Sequence, residues 1–141
     1  MIIRPVPVEQ TRGLRQRVLR PLETLAEMAA HEPADAFAVG AFRGDELLGV
    51  GLIGPEGRVG DWRIRGMATA PQARRQGIGA AVLDVLLAHA STAEATRVWC
   101  SARTPARSLY ERAGFRVASE EFEVQDIGPH VVMERLLRDR A

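Results

Sequence analysis

The chain has 141 residues, a length that suits one domain with a single hydrophobic core. Apolar residues make up 46% and charged residues 26% of the chain, and the formal net charge of +1 gives no overall field that would draw it to nucleic acid or to an anionic membrane. A single cysteine, Cys100, excludes an intrachain disulfide and is typical of proteins of the reducing cytoplasm. The three histidines are scattered and show no metal-ligand spacing. No apolar run is long enough to cross a bilayer.

The N-terminal part of the chain predicts an edge strand over residues 2–8 and two helices over residues 9–20 and 22–31. Pro5 and Pro7 lack the N–H that a strand donates to its neighbours, so the strand is expected at a sheet edge. Apolar side chains recur at helical spacing in both helical segments, and in the first of them arginines fill the opposite face.

The middle of the chain predicts three strands, over residues 36–42, 47–53 and 58–69. A Gly-Asp pair at residues 44–45 joins the first two strands as a hairpin, because such pairs favour tight turns between apolar segments. Pro71 ends the third strand, because it lacks an N–H and pushes the preceding residue into an extended conformation.

The C-terminal half of the chain predicts two helices and three strands. The helices cover residues 77–90 and 105–113, and the strands cover residues 96–102, 115–125 and 130–137. The first helix is expected to be largely buried, because only a thin stripe of its surface suits solvent. That stripe consists of Asp84, Ala88 and Ser91.

The second of these helices has capping signals at both ends. Thr104 is the predicted N-cap with Pro105 at the first helical position, and Gly114 is the predicted left-handed C-cap. The complete order of elements is β-α-α-β-β-β-α-β-α-β-β. We therefore expect residues 1–141 to form one mixed α/β (α+β) domain, with a central sheet of about seven strands flanked by about four helices.

The segment from Arg74 to Ala80, Arg-Arg-Gln-Gly-Ile-Gly-Ala, carries the most specific chemical signal. It follows a predicted strand and opens a long helix. Gly77 and Gly79 have no side chains, so a ligand can approach their N–H groups closely and positive φ angles cost little. The first N–H groups of the helix have no internal partners, and the helix dipole favours negative charge at that end. The segment therefore predicts a phosphate or diphosphate site.

Two parts of the chain resemble signature regions of the GNAT superfamily of N-acetyltransferases. The first is residues 62–69, Trp-Arg-Ile-Arg-Gly-Met-Ala-Thr, followed by residues 74–80, which match the acetyl-CoA-binding signature Q/R-x-x-G-x-G/A. The second is residues 106–115, Ala-Arg-Ser-Leu-Tyr-Glu-Arg-Ala-Gly-Phe, which match the later signature A-x-x-[LF]-Y-x-[KR]-x-G-F. Both occur in the order and element context of the family, and the resemblance covers nearly the whole chain.

The resemblance implies that a run of residues binds acetyl-CoA. Backbone groups of the fourth strand pair with the pantetheine arm, N–H groups of the glycine segment hold the diphosphate, and the two arginines reach phosphate oxygens. The implied cofactor-binding residues are Met67, Ala68, Thr69, Arg74, Arg75, Gln76, Gly77, Ile78, Gly79 and Ala80. Tyr110 is the implied catalytic residue, an acid near the thioester sulfur that donates to the leaving thiolate.

Two positions depart from the family pattern. Many members carry asparagine where this chain has Arg103; arginine cannot accept a hydrogen bond, so we expect Arg103 to reach a phosphate or to face solvent. Many members also place a glutamate on the fourth strand as base or water-holder. Here that strand offers Arg63 and Arg65, with Asp61 only at its start, so the identity of the base stays open.

The resemblance implies an acetyl-CoA-dependent N-acetyltransferase that acts on a primary amine of a small molecule or a protein. The alternative is a CoA-binding module without catalysis, which the missing glutamate favours and Tyr110 disfavours. An NAD-binding domain is disfavoured, because the glycine segment does not follow the first strand of a βαβ unit. His130 either lines the acceptor pocket or is structural. We expect no nucleic-acid, membrane or metal partner, and a C-terminal edge strand is compatible with a homodimer.

Overall fold

A central sheet of eight strands organises residues 1–138, the part of the chain that the computed structural model describes. The strands are β1 (Ile2–Val6), β2 (Phe37–Arg43), β3 (Glu46–Pro55), β4 (Asp61–Thr69), β5 (Arg97–Arg103), β6 (Arg116–Val117), β7 (Phe122–Val124) and β8 (Gly128–Leu136). The helices are α1 (Arg12–Leu19), α2 (Leu25–Ala30), α3 (Ile78–Thr92) and α4 (Arg107–Arg112). Short 3-10 turns span Val8–Thr11, Pro71–Ala73 and Thr104–Ala106.

The strands follow the order β1-β2-β3-β4-β5-β8-β6, and β7 also pairs with β8. β4 and β5 run parallel and are connected through α3, whereas the other strand pairs of residues 1–138 are antiparallel. β1 lies at the edge of the sheet, as Pro5 within it and Pro7 just after it predict. A mixed sheet with four helices confirms the predicted fold class, with eight strands where about seven were expected.

The eighth strand arises because the predicted strand over residues 115–125 is divided into β6 and β7. The break lies at Ser119, whose Oγ accepts a hydrogen bond from the N–H of Val132 at 2.8 Å and donates one to the carbonyl of Glu120 at 2.8 Å. A side chain thus replaces a main-chain partner in the ladder. β8 is covered by β5 on one side and by β6 and β7 on the other, so the predicted C-terminal edge strand is wrong, and the homodimer argument loses its basis.

Two helices begin later than the sequence predicts. The Thr11 hydroxyl donates to the carbonyl of Val8 at 2.7 Å and stabilises a 3-10 turn there, so α1 begins only at Arg12. α2 begins after Thr24, which forms a capping box with Glu27. The N–H of each residue donates to a side-chain oxygen of the other at 3.1 Å, so the preceding residues stay outside the helix.

The prediction for α4 is confirmed at its C-terminal end and wrong at its N-terminal end. Thr104 is not an N-cap, because its hydroxyl lies 3.2 Å from the carbonyl oxygen of Pro129 and 3.3 Å from a carboxylate oxygen of Glu121. Thr104 therefore ties the start of the helix to β8. Gly114 has a φ of +90° and its N–H donates to the carbonyl of Glu111, as a left-handed C-cap requires.

β4 begins at Asp61, later than predicted, because residues 57–60 form a turn. Gly57 and Gly60 have φ angles of +115° and +93°. The Asp61 carboxylate closes the turn by accepting the N–H of Arg58 at 3.1 Å, and it also pairs with Arg97 of β5 at 3.1 Å. Asp61 thereby fastens the beginnings of the two parallel strands to each other.

α3 packs across β2, β3 and β4 and supplies much of the core. Its buried side chains are Ile78, Val82, Leu83, Leu86, Leu87 and Ala90, whereas Asp84, Ala88 and Ser91 are exposed as predicted. Each large apolar side chain buried in this way stabilises the fold by about 1.5–3 kcal/mol. A Cβ at Gly49 of β3 would lie 2.5 Å from Cγ2 of Ile78, so the start of the helix rests directly on the strand. None of the helices within residues 1–138 has the length and apolarity needed to span a membrane.

Candidate active site

A cavity opens where β4 and β5 separate. The two parallel strands pair only over their first three residues, from Asp61 with Arg97 to Arg63 with Trp99, and diverge beyond them. The cavity has a volume of about 830 Å³ and is lined by both strands, α1, the start of α3, α4, β7 and β8. Strands that diverge inside a sheet leave main-chain hydrogen-bonding groups without a strand partner, and such groups attract a ligand that can replace the strand.

β4 carries a bulge beside this cavity. In the register with β3, two residues of β4, Gly66 and Met67, face the single residue Gly51. Gly66 has a φ of +64°, and a Cβ at this position would lie 2.8 Å from Nε of Arg15, so both the backbone and the space require glycine. Bulges of this kind change the direction in which the following residues point.

After the bulge, β4 presents main-chain groups to the gap. The N–H of Ala70 donates to the carbonyl of Leu48 in β3 at 2.8 Å. Because alternate residues of an extended strand direct their main-chain groups to opposite edges, Ala68 also faces β3, whereas Met67 and Thr69 face the gap. Met67 and Thr69 therefore offer the open edge that the family resemblance predicts for a pantetheine arm.

The segment from Arg74 to Ala80 leads from this edge into α3. Arg75 and Gly77 both adopt left-handed backbone, with φ angles of +64° and +77°. The first main-chain hydrogen bond into the helix is that of Ala81, whose N–H donates to the carbonyl of Gly77 at 3.1 Å. Within residues 1–138, the six preceding amides, from Arg75 to Ala80, have no hydrogen-bond acceptor. A continuous group of free N–H donors at a helix N-terminus is an anion site.

Cationic side chains surround these free amides. Arg74 and Arg75 are exposed, line the cavity and have no carboxylate within 4.0 Å in the described part of the chain. Arg43, at the end of β2, donates to Oε1 of Gln76 at 2.7 Å and brings a third positive charge to the segment. A left-handed arginine costs about 1–2 kcal/mol relative to ordinary backbone, and such strain is concentrated at functional sites.

Tyr110 of α4 lines the cavity and is almost fully buried. Its ring packs edge-on against Phe115 at 5.6 Å between centroids, and its hydroxyl makes no hydrogen bond to residues 1–138. Burial raises the pKa of Tyr110 well above its usual value, so the phenol stays protonated and can donate a hydrogen bond. Cys100 lies nearby on β5, and burial raises the pKa of its thiol to about 12, so the thiol stays protonated.

The opposite side of the cavity is built from alternate residues of β4 and β5. Arg63 and Arg65 of β4 share the carboxylate of Glu56, at 2.7 and 3.1 Å, and the Arg63 guanidinium stacks 4.4 Å above the ring of Trp99. Burial alone would raise the pKa of Glu56, but the hydrogen bonds and charges of the two arginines outweigh it and hold that pKa below its usual range. Glu56 is therefore a counter-ion of Arg63 and Arg65 and not a proton acceptor.

Arg103, at the end of β5, crosses to the C-terminal end of α1. Its Nη2 donates to the carbonyl of Leu19 at 2.6 Å, a favourable position for a cation because helix C-termini carry partial negative charge. Arg103 is half-buried and lines the cavity, so it does not simply face solvent as one of the two sequence expectations had it. A second buried arginine, Arg15 of α1, is held by Glu32 at 2.7 Å.

His130 is buried at the start of β8 and lines the cavity next to Arg103, its partner in the strand register. Its Nδ1 lies 2.9 Å from the carbonyl oxygen of Gly128, which can only accept, so the Nδ1–H tautomer is favoured and Nε2 is left as an acceptor. Asp61, the carboxylate that the sequence offered at the start of the fourth strand, lies outside the cavity lining. In the described part of the chain no three His, Cys, Asp or Glu side chains are grouped to hold a metal ion.

The comparison with known families assigns the chain to one of them. The model of the acetyltransferase (GNAT) domain matches residues 7–137 of the chain. The chain belongs to the GNAT family. An uncharacterised N-acetyltransferase of Bacillus subtilis strain 168, YitI, is 27% identical over 143 residues, which cover 96% of each protein.

Two solved structures show how far the GNAT fold is shared. The ribosomal-protein-S18-alanine N-acetyltransferase from Escherichia coli superposes with a TM-score of 0.79 at 16% identity, covering 99% of this chain and 96% of that one. An aminoglycoside 6'-N-acetyltransferase complexed with coenzyme A superposes with a TM-score of 0.78 at 15% identity, covering 100% of this chain and 99% of that one.

The GNAT cavity gathers most of the residues that the sequence singled out. Its lining includes Met67, Ala68, Thr69, Arg74, Arg75, Gly79 and Tyr110. Gln76, Gly77 and Ala80 are exposed and do not line it, and the Ile78 side chain is buried in the core.

Sequence reasoning missed the ionic framework of this GNAT site. Glu56, Glu32 and Arg43 were not singled out, because each acts through a partner that is distant in the sequence. The alternation of Arg63 and Arg65 on one strand was a usable signal for a shared face, but nothing in the sequence says which carboxylate neutralises them.

Proposed function

We propose that this protein transfers an acetyl group from acetyl-CoA to a primary amine of a small molecule or a protein. The observation that carries the proposal is the run of six unpartnered amides from Arg75 to Ala80, placed directly beside the open edge of β4. An anion cradle next to an unpaired strand edge fits one class of molecule, a diphosphate joined to an extended amide-containing arm.

The residues of the cavity fit the two halves of this donor. The free amides and the guanidinium groups of Arg74 and Arg75 would hold the diphosphate, because charge-assisted hydrogen bonds to anions are the strongest that a loop can offer. The main-chain groups of Met67 and Thr69 would bind the amides of the pantetheine arm as a neighbouring strand does, with Ala68 between them.

The acceptor amine must lose a proton before it attacks. A lysine-like amine with a pKa of about 10.4 is almost fully protonated at pH 7, and its neutral form costs about 4.6 kcal/mol. Among the described residues that line the cavity, His130 offers the one imidazole nitrogen in a buried position without a hydrogen-bond partner. We assign His130 Nε2 as the group that takes this proton.

The amine nitrogen then forms a bond to the thioester carbon, and the carbonyl oxygen becomes an oxyanion. A main-chain N–H of β4 beside the bulge would stabilise that oxyanion, an interaction worth roughly 3 kcal/mol. When the intermediate collapses, the carbon–sulfur bond breaks, the attacking nitrogen gives up its second proton to solvent, and the sulfur takes a proton from the hydroxyl of Tyr110. Tyr110 regains a proton from solvent, and His130 releases the one it took.

Ligand-induced thermal shifts test the donor half of this proposal. The protein is heated with acetyl-CoA, with CoA and with NAD under matched conditions. At 100 times the dissociation constant, a ligand stabilises the folded state by about 2.7 kcal/mol, so the CoA compounds should raise the unfolding temperature clearly and NAD should not. Equal shifts with NAD, or none with acetyl-CoA, contradict the assignment of the cradle.

Thiol release from acetyl-CoA tests the chemical half. A panel of primary amines is incubated with the protein and acetyl-CoA, and free CoA thiol is titrated with time. Turnover with at least one amine is expected. Binding of acetyl-CoA without turnover on any amine would instead support the non-catalytic CoA-binding module.

A further inference from the structure

Arginine dominates the side of the cavity that faces away from the diphosphate cradle. We call this side the acceptor face; it consists of Arg63 and Arg65 of β4, Arg103 of β5, and Arg15 and Arg20 at α1, all of which line the cavity. Alternate side chains of each strand point to the same face of the sheet, and α1 packs over that face. The guanidinium groups therefore converge from three elements, β4, β5 and α1.

The carboxylates around this face are too few to neutralise it. Glu56 is shared by Arg63 and Arg65, and Glu32 is shared by Arg15 and by Arg12, which lies behind the face. Glu23 pairs with Arg20 at 2.9 Å. Including Arg103, six arginines therefore stand against three carboxylates.

Arg103 is the arginine of this face that has no counter-ion. Its only hydrogen bond within residues 1–138 is to the Leu19 carbonyl, and no carboxylate of that part of the chain lies within 4.0 Å of it. Burial lowers the pKa of Arg103, and the charge of the neighbouring Arg20 lowers it further. Arg103 therefore presents guanidinium N–H groups without an anionic partner at the cavity wall, and an oxyanion is the ligand that such donors bind most strongly.

No other carboxylate in the described part of the chain lies within 4.0 Å of the arginines of the acceptor face; Asp126 is exposed and shares a small neighbouring pocket with Arg20. Glu120, Glu121 and Glu123 are exposed and lie outside the cavity lining. His31 lines the rim, is 61% exposed and faces Glu23 at 3.9 Å. The remaining cationic lining, Arg74 and Arg75, belongs to the cradle at the other end.

We propose that the acceptor of this acetyltransferase carries an oxyanion group, a carboxylate or a phosphate, on the same molecule as its reacting amine, and that Arg103 and Arg20 bind that group. This inference rests on the proposed function. The oxyanion satisfies the free N–H groups of Arg103, and His130, which pairs with Arg103 in the strand register, then lies beside the amine end of the same molecule. Only the amine is acetylated, and the oxyanion takes no part in the bond changes.

The same charge excess disfavours polycationic acceptors. One of the compared structures is an aminoglycoside 6'-N-acetyltransferase, and aminoglycosides carry several ammonium groups. In the present cavity the additional ammonium groups would face a surface on which arginines outnumber carboxylates, and like charges in a partly desolvated cleft repel strongly. The shared fold therefore does not carry that substrate class to this chain.

Matched pairs of amines test the proposal. β-Alanine is compared with its carboxamide, phosphoethanolamine with ethanolamine, and kanamycin serves as the polycationic probe; kcat/KM is measured for each by thiol release. Replacing the carboxylate by a carboxamide removes the negative charge and can also lower the pKa of the amine. A lower pKa leaves more of the amine unprotonated, so this side effect favours the carboxamide. We expect the oxyanion-bearing member of at least one pair to react at least tenfold faster; which pair does so tells carboxylate from phosphate.

Variants locate the effect at the named residues. In Arg103→Gln the preference for the oxyanion-bearing member should fall about tenfold, mainly through KM. Arg20→Gln should shift the preference in the same direction. Arg17→Gln, which removes an exposed positive charge on α1 outside the cavity, is the matched control and should keep the wild-type preference. Thermal melts establish that each variant is folded.

The outcomes separate the two proposals. If kanamycin or the amines without an oxyanion group react as fast as the oxyanion-bearing amines, the proposed acceptor class is wrong while the acetyltransferase assignment stands. An oxyanion preference that survives both Arg103→Gln and Arg20→Gln refutes the assignment to these arginines. If no amine in the panel releases thiol although acetyl-CoA binds, the proposed function itself fails, and the acceptor class fails with it.

Discussion

The same substitution two residues apart should have opposite effects on this protein. Gly77 is the N-cap of α3 with a φ of +77°, and a Cβ there would meet no protein atom within 4 Å. Gly79 lies in the first turn of the helix with ordinary backbone, and a Cβ there would lie 3.5 Å from Leu109, a normal contact. Backbone strain is therefore the one factor in the protein that disfavours alanine at Gly77. At Gly79, neither the backbone conformation nor a steric clash disfavours alanine.

The magnitudes follow from these conformations. A non-glycine residue in left-handed backbone costs about 1–2 kcal/mol, partly offset by the lower entropy of the unfolded chain, so Gly77→Ala should lose about 1 kcal/mol of stability. Gly79→Ala should gain roughly 0.5–1 kcal/mol, because glycine inside a helix is unfavourable by that amount. For a chain of this size, each kcal/mol moves the unfolding temperature by roughly 3–5 °C.

Coenzyme A binding should separate the two variants again. Relaxing the backbone at Gly77 turns amides of the cradle away from a common point, and the loss of one charge-assisted hydrogen bond, about 1.5–3 kcal/mol, weakens binding by about 10- to 150-fold. Gly79→Ala keeps the cradle and serves as the control, in keeping with the alanine that the family signature allows there. Calorimetric titration with CoA and melting curves of both variants measure these effects. A Gly77→Ala protein with wild-type melting and wild-type CoA affinity would falsify the cradle.

Three further predictions concern the chemistry and the charge network. Tyr110→Phe should slow turnover while leaving acetyl-CoA binding intact, because the ring packing is kept and only the donor hydroxyl is lost; wild-type kcat in steady-state thiol release excludes Tyr110 as an essential acid. His130→Asn should lower kcat by about 10²–10⁴ without changing CoA affinity, since a general base contributes about that much; an unchanged rate removes His130 from the proton path. Hydrogen bonds from Arg97 and Arg116 hold the pKa of Glu134 below its usual 4.5, so its stabilisation is complete above that pH and is lost as the pH falls through the lower folded-state value. Melting curves recorded at decreasing pH should therefore show acid destabilisation of up to about 1.4 kcal/mol per pH unit from this group, and Glu134→Gln should flatten that dependence; an identical pH profile contradicts it.

The donor half of the site could be predicted because its signals are local. A left-handed glycine, a helix start and neighbouring arginines all lie within residues 74–80, and the chemistry of free amides follows from helix geometry alone. The strand that precedes them was also predictable in kind, although its start was placed too early because the turn closed by Asp61 depends on a side chain of the strand itself.

The acceptor half could not be predicted, because its properties arise from pairing between distant segments. Arg63 and Arg65 become one charged face only when β4 lies beside β5, and their neutralisation depends on Glu56 from the preceding turn. The break at Ser119 has the same origin, since one side-chain hydrogen bond to Val132 decides it. The capping box of Thr24 and Glu27 is different: its signal was present in the sequence and was overlooked.

The early parting of β4 and β5 gives the sheet an internal seam. As far as Arg63 and Trp99, strand pairing joins the two halves of the sheet. Beyond these residues, only a bound molecule could provide the missing main-chain hydrogen bonds between the strands. The backbone amide protons of Met67 and Thr69 should therefore exchange with heavy water quickly in the empty protein and slowly when the seam is filled. Isotope exchange along this one strand would thus report occupancy without any chemical turnover.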